Sequence, residues 1–184
     1  VSEKSKIKPK SIYGKTKIKA ENLIRNFAKK NKINYGILRY FNIAGSSPSG
    51  KIGLINKNSD NLFKNFSTEV IKNKPKLKIY GTNYKTKDGT CIRDFIHVSD
   101  IAEIHYLVLE KINKFNVSKI LNCGYNKGIS VLQVAKEFER ISQKKISIIY
   151  SKRRNNDLIK IIDSNKNLKK FINWKPKFNN LGKI

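Results

Sequence analysis

Methionine is absent from all 184 residues, and cysteine occurs twice. A chain that opens on Val1 with no Met is expected to be processed or to be part of a longer reading frame. Cys91 and Cys123 are too few for a disulfide framework or a thiolate metal cluster. Both are therefore expected to be reduced, in a cytoplasmic protein with no metal site. No apolar run is long enough to cross a bilayer, and no charged-then-apolar leader opens the sequence, so neither a membrane partner nor a signal peptide is expected. Acidic residues are scarce: 13 Asp+Glu against 40 Lys+Arg leave a net charge of +27. That balance invites polyanions. The lysines are spread along the chain, however, as in Lys29-Lys30-Asn31-Lys32-Ile33-Asn34. The aromatics fall in apolar strands and helix stripes, not between exposed cations. A compositional bias explains the charge, and no nucleic-acid partner is expected. The field still favours small anionic ligands.

The chain is long enough for one domain with a real core, and its punctuation alternates helices with strands. Ser11 is a suitable N-cap for a helix on which Ala20, Leu23, Ile24, Phe27 and Ala28 follow the spacing of one buried face. The continuous apolar run Tyr35–Phe41 reads as a buried parallel strand. It leads through Asn42-Ile-Ala-Gly45 into a loop rich in Ser, Pro and Gly, which places Asn42 at the carboxyl end of a strand, where ligands of open α/β sheets collect. A helix is expected over Asn61–Lys72, and strands over Leu77–Tyr80, Ile92–Val98, Lys119–Asn122 and Lys145–Tyr150. Ser99 is expected to cap a helix carrying Asp100 and Glu103 in its first turn. Ser130-x-x-Gln133 is a capping-box pattern, and Asp163-Ser164 should open a last short helix. His97 and His105 are expected to be structural, in a strand and a helix respectively. The fold class is α/β.

Tyr13 and Lys17 stand four residues apart, so they project from one face of the first helix. An ammonium beside a phenol favours the phenolate, which makes the phenol a usable base. Such a pair normally accompanies a nicotinamide site with a glycine-rich phosphate loop after the first strand. The twelve residues before Tyr13 contain no such loop.

Further motifs supply a context. Leu38-Arg-Tyr-Phe-Asn-Ile-Ala-Gly45, Asp60-Asn-Leu62, the stretch Tyr80 to Val98 with its Asp88-Gly-Thr-x-Ile-Arg-Asp94 core, and Arg153-Arg-Asn-Asn-Asp157 follow in order. With Tyr13-x-x-x-Lys17 they resemble the UDP-glucose 4-epimerases, extended short-chain dehydrogenase/reductases of the NAD-dependent epimerase/dehydratase family. Another NAD-dependent sugar-nucleotide epimerase or dehydratase is the alternative. The resemblance covers essentially the whole chain but only the second half of the family's length. The glycine-rich half is absent, and with it a Ser or Thr that assists the Tyr.

The resemblance implies the C-terminal part of a Rossmann-type parallel-sheet domain (1–45 and 92–124) and a smaller α/β lobe that binds a UDP-sugar (46–91 and 125–184). It implies NAD as cofactor and a homodimer for the whole enzyme. In such enzymes the C4 hydroxyl loses its proton to the Tyr while hydride leaves C4 for NAD, and hydride returns to the other face of the 4-keto sugar. The roles carry over as Tyr13 and Lys17 for catalysis and cofactor contact, with Tyr40 and Phe41 near the nicotinamide. Asn42, Asn61 and Leu62 would meet the substrate diphosphate, and Lys78 and Tyr80 the uracil. Arg93 and Arg154 would clamp the diphosphate, Asp157 would accept a ribose hydroxyl, and Ile161 would stand at the sugar-gating position. An ion pair of Arg93 with Asp94 is the plain alternative for that arginine.

Overall fold

The computed structural model describes residues 1–9, 11–56, 59–155 and 157–184. The chain runs α1 (Ile12–Asn31), β1 (Gly36–Tyr40), β2 (Asn42–Ala44), α2 (Leu62–Val70), β3 (Lys76–Tyr80), β4 (Ile92–Arg93), β5 (Phe95–His97) and α3 (Val98–Phe115). It continues with β6 (Lys119–Cys123), β7 (Ile129–Ser130), α4 (Val131–Ser142), β8 (Ser147–Ser151), β9 (Lys160–Ile161), α5 (Lys166–Phe171) and a 3-10 turn at Leu181–Lys183. Strand pairs β1–β6, β2–β5 and β3–β8 are parallel, and β4 lies between antiparallel β7 and parallel β9. The fold is α/β with parallel pairing, as the alternation of strands and helices requires.

The Ile92–Val98 stretch is two strands, not one. Asp94 is the break: its N–H donates to Ile161 O at 3.1 Å, while its carbonyl accepts from Asn42 N at 3.1 Å. The backbone thus trades the β9 neighbour for β2 within one residue. The helix that follows starts earlier than expected. His97, not Ser99, is its cap, with Nδ1 accepting from Ser99 N at 3.1 Å. The capping box at Ser130 and Gln133 forms as read, and Ser11 caps α1 through Gly14 N at 3.1 Å. The last helix is opened by Asn165.

Two apolar cores meet at β5, whose successive side chains point to opposite faces. Ile96 joins Ile104, Val108, Leu121, Leu168, Ile172 and Trp174 on one side. Phe95 joins Phe63, Phe66, Leu77, Ile79 and Val134 on the other. Two expectations about burial fail. On α1 only Ala28 is buried, and Leu23, Ile24 and Phe27 are 69%, 46% and 62% exposed. On β1 only Ile37 is buried. The reason is the same in both places: among the described residues β1 pairs with β6 alone, and no sheet face lies against the α1 stripe. The bidentate contact of Arg39 with Glu21, at 2.8 and 2.6 Å, ties α1 to β1.

Candidate functional site

Tyr80 and Ser151 are register partners at the carboxyl ends of β3 and β8, joined further by Gly81 N to Ser151 O at 2.8 Å. The loops 81–91 and 152–159 therefore leave the sheet side by side, at the edge where α/β proteins place ligands. β4 brings Arg93 to the same place, in register with Ile161 of β9. Five of the expected residues then make contacts with one another. Arg93 donates through Nη2 to Asp157 Oδ1, and its Nη1 donates to Ile92 O at 2.9 Å. Arg154 lies over the Tyr80 ring at 4.3 Å from the centroid, and Lys78 reaches the same ring at 5.2 Å.

The arrangement corrects one alternative. Arg93 is buried and pairs with Asp157, not Asp94. Asp94 faces away and accepts from Tyr125 N and Asp163 N, each at 3.1 Å. Burial raises the Asp94 carboxyl above its usual range, and those amides oppose the rise.

Two residues of this cluster escaped sequence reasoning, Tyr84 and Arg153. The Tyr84 hydroxyl donates to Asp157 Oδ2 at 3.0 Å. Arg153 covers the Tyr84 ring at 4.2 Å and donates from Nη2 to Asp157 O at 2.7 Å. Burial, then the bond to Asp157, pushes the Tyr84 phenol up to about 12. The available signal was an aromatic inside an otherwise polar loop. Asn156, inside the Arg153–Asp157 motif, lies outside the described residues.

The other expected residues stand apart from this cluster. Tyr13 is 71% exposed on α1, with Lys17 Nζ 5.2 Å from its ring centroid. Tyr40 is exposed at the end of β1, 6.0 Å from the His105 ring, and Phe41 is half-buried. Asn42 opens β2 instead of ending a strand, and its side chain is exposed. Asn61 is the N-cap of α2, accepting from Lys64 N at 3.1 Å and donating to Ile43 O at 3.0 Å, with Leu62 half-buried behind it. Ile161 is half-buried. A cleft of ≈ 1020 Å³ opens between α2 and α4. It is lined by apolar groups such as Phe63, Val134 and Phe138, and of the expected site residues only Asn61 borders it. The polar cluster at the strand ends has the chemistry for an anion beside an aromatic platform.

Similarity to known proteins extends along nearly the whole chain. Residues 1–124 match the model of the NAD dependent epimerase/dehydratase family. The chain is 35% identical over 176 residues to a UDP-glucose 4-epimerase of Azospirillum brasilense, covering 96% of this chain and 51% of that one. It is 36% identical over 179 residues to UDP-glucose 4-epimerase 2 of Arabidopsis thaliana, with the same coverage of 96% and 51%. The fold is similar to the crystal structure of a Stenotrophomonas maltophila UDP-glucose-4-epimerase with bound NAD and formylated UDP-arabinopyranose. That match has a TM-score of 0.92 at 29% identity, over 100% of this chain and 55% of that one. The chain thus spans about half the length of the curated relatives it matches. It belongs to the NAD-dependent epimerase/dehydratase family.

Proposed function

We propose that this chain forms the UDP-sugar-binding half, and carries the proton-transfer pair, of a UDP-glucose 4-epimerase interconverting UDP-glucose and UDP-galactose. The observation that carries the reading is the grouping of Arg93, Arg154, Tyr80 and Asp157 at the carboxyl ends of neighbouring strands. Guanidinium groups suit bidentate phosphate recognition. An aromatic ring against Arg154 suits a flat base, and a carboxylate suits a ribose hydroxyl. The net charge of +27 attracts anionic ligands such as a nucleotide diphosphate to the protein. In this reading Arg93 and Arg154 hold the diphosphate with Asn42 and the α2 start at Asn61 and Leu62. Lys78 and Tyr80 flank the uracil, and Ile161 borders the sugar.

The α1 pair fits one end of NAD, since a phenol and an ammonium can bond ribose hydroxyls. Among the described residues there is no glycine-rich strand-to-helix turn for the pyrophosphate. When bound, NAD supplies a reversible hydride acceptor. Tyr13 Oη takes the proton of the C4 hydroxyl and later returns it. Lys17, its Nζ 5.2 Å from the Tyr13 ring centroid, places a positive charge near the phenol, and Tyr40 and Phe41 lie near the nicotinamide. The division into a cofactor part (1–45 and 92–124) and a substrate lobe (46–91 and 125–184) is part of the same proposal, as is a homodimer for the whole enzyme. The uncovered stripe of Leu23, Ile24 and Phe27 is consistent with a further element docking on α1. Buried, unpaired Cys91 and Cys123 accord with a reducing cytoplasm.

Calorimetric titration of the chain with UDP tests the reading. R93Q and R154Q should each weaken UDP binding by about tenfold, the worth of a charge-assisted hydrogen bond. Undiminished binding by both variants would overturn it.

A further inference from the structure

Asp157 is held from three sides, by Arg93, Tyr84 and Arg153. Tyr84 is 4% exposed and reaches Asp157 Oδ2 through its hydroxyl, leaving Oδ1 to Arg93. Arg153 lies on the Tyr84 ring and bonds the carbonyl of Asp157 itself. Gly81 makes this close stack sterically feasible. Its φ is +83°, and a Cβ there would stand 2.4 Å from Tyr84 Cε2 and 3.2 Å from Arg153 Cβ. The loop that carries Tyr84 is itself fixed: Tyr84 N donates to Gly89 O at 3.0 Å. Asp88 Oδ1 accepts from Thr90 N at 2.9 Å, and its Oδ2 accepts from Ser130 Oγ. A chain of contacts thus runs from the N-cap of α4 through the 81–91 loop to the 152–157 loop.

We propose that Tyr84 is a positioning residue of the substrate site, which with Arg153 sets the Asp157 carboxylate and the loop carrying Arg154. The inference rests on the reading that Asp157 meets a ribose hydroxyl and that Arg93 and Arg154 meet the diphosphate. A carboxylate gripped by Arg93 alone can swing about that one contact. The Tyr84 hydroxyl fixes its second oxygen, so the remaining lone pairs point in one direction. The phenol keeps its proton across the working pH range and so stays a donor. Arg153 transmits the constraint to its neighbour Arg154, because stacking on Tyr84 and bonding Asp157 O hold Arg153 itself in place.

The test is calorimetric titration of the chain with UDP and, separately, with inorganic pyrophosphate, on wild type, Y84F and R153K. Y84F keeps the ring and removes the hydroxyl. It should lose about tenfold in UDP affinity, the worth of a hydrogen bond to a charged group, while pyrophosphate affinity changes by less than about twofold. R153K keeps the charge and loses the planar stack. It should weaken both ligands, because Arg154 shifts with its loop. Circular dichroism checks that each variant is folded. If Y84F fails to fold, the R153K result decides alone. Wild-type UDP binding left intact by Y84F and R153K overturns this inference and spares the functional reading. A proportional loss of both ligands in Y84F also overturns it, since that marks a general weakening of the fold. Failure of the wild-type chain to bind UDP overturns the functional reading and this inference with it.

Discussion

The substitution Asp163→Asn should make the protein more stable at pH 8 than the parent, and the two should converge only below about pH 4. Asp163 is 2% exposed, and among the described residues neither of its side-chain oxygens has a hydrogen-bond partner. Burial first, and the nearby Asp94 carboxylate second, raise its carboxyl from 3.8 to about 7. Glu3 adds to the rise. The Val1 amine opposes it, as does the amide of Ser164, which is itself committed to Val1 O at 2.9 Å. The folded-state value lies above the unfolded one, so the unfolded chain ionises first as pH climbs. The protonated carboxyl is tolerated below the unfolded value, and stability falls as pH rises from there through the folded value near 7. A shift of about three units at about 1.4 kcal/mol each places the full cost on the order of 4 kcal/mol. The substituted side chain would carry no charge at any pH, although its buried amide would need partners of its own, so the gain at pH 8 should be smaller than that figure. Urea unfolding followed by the single Trp174, buried and stacked on Tyr125, supplies the readout at each pH. Parallel stability profiles for the two proteins between pH 4.5 and 8 would refute the reasoning.

Two further outcomes are expected. N61A removes both the α2 cap on Lys64 N and the tie to Ile43 O. It should cost about 1–2 kcal/mol in urea unfolding; an unchanged midpoint would show that α2 is held by its apolar face alone. The 184-residue chain incubated with NAD and UDP-galactose should form no UDP-glucose in a coupled assay, because its described residues provide no phosphate cradle for NAD. Turnover above background would overturn that dependence.

Much of the architecture was legible because it rests on local rules. Ser11, Asn61 and the Ser130–Gln133 box cap their helices where side-chain oxygens must satisfy free N–H groups. The period-2 stretch Leu77–Tyr80 buries Leu77 and Ile79 as a strand should. What could not be read depends on non-local partners. The apolar spacing of Leu23, Ile24 and Phe27 announces a buried face, but spacing does not say what covers it. Asp94 ends one strand pairing and starts another, a change dictated by which neighbours are present on either side. The cluster around Arg93 was partly legible, since Arg93, Arg154 and Asp157 sit in recognisable motifs. That Arg93 would choose Asp157 over its sequence neighbour Asp94 follows from the β4–β9 register, which no sequence period encodes. Tyr84 and Arg153 were invisible as a pair because 69 residues separate them and only the β3–β8 pairing brings their loops together.

The central claim is that the strand-end cluster selects a uridine diphosphate and does not merely attract anions to a basic surface. Calorimetric affinities of the chain for UDP, UMP and ADP, measured side by side at physiological ionic strength, test it most directly, because salt at that level screens exposed charges beyond about 8 Å. UDP should bind more tightly than UMP by about tenfold, from the phosphate that the second guanidinium holds, and more tightly than ADP, from the fit of uracil on Tyr80. Equal affinities for UDP and ADP, or for UDP and UMP, would contradict it.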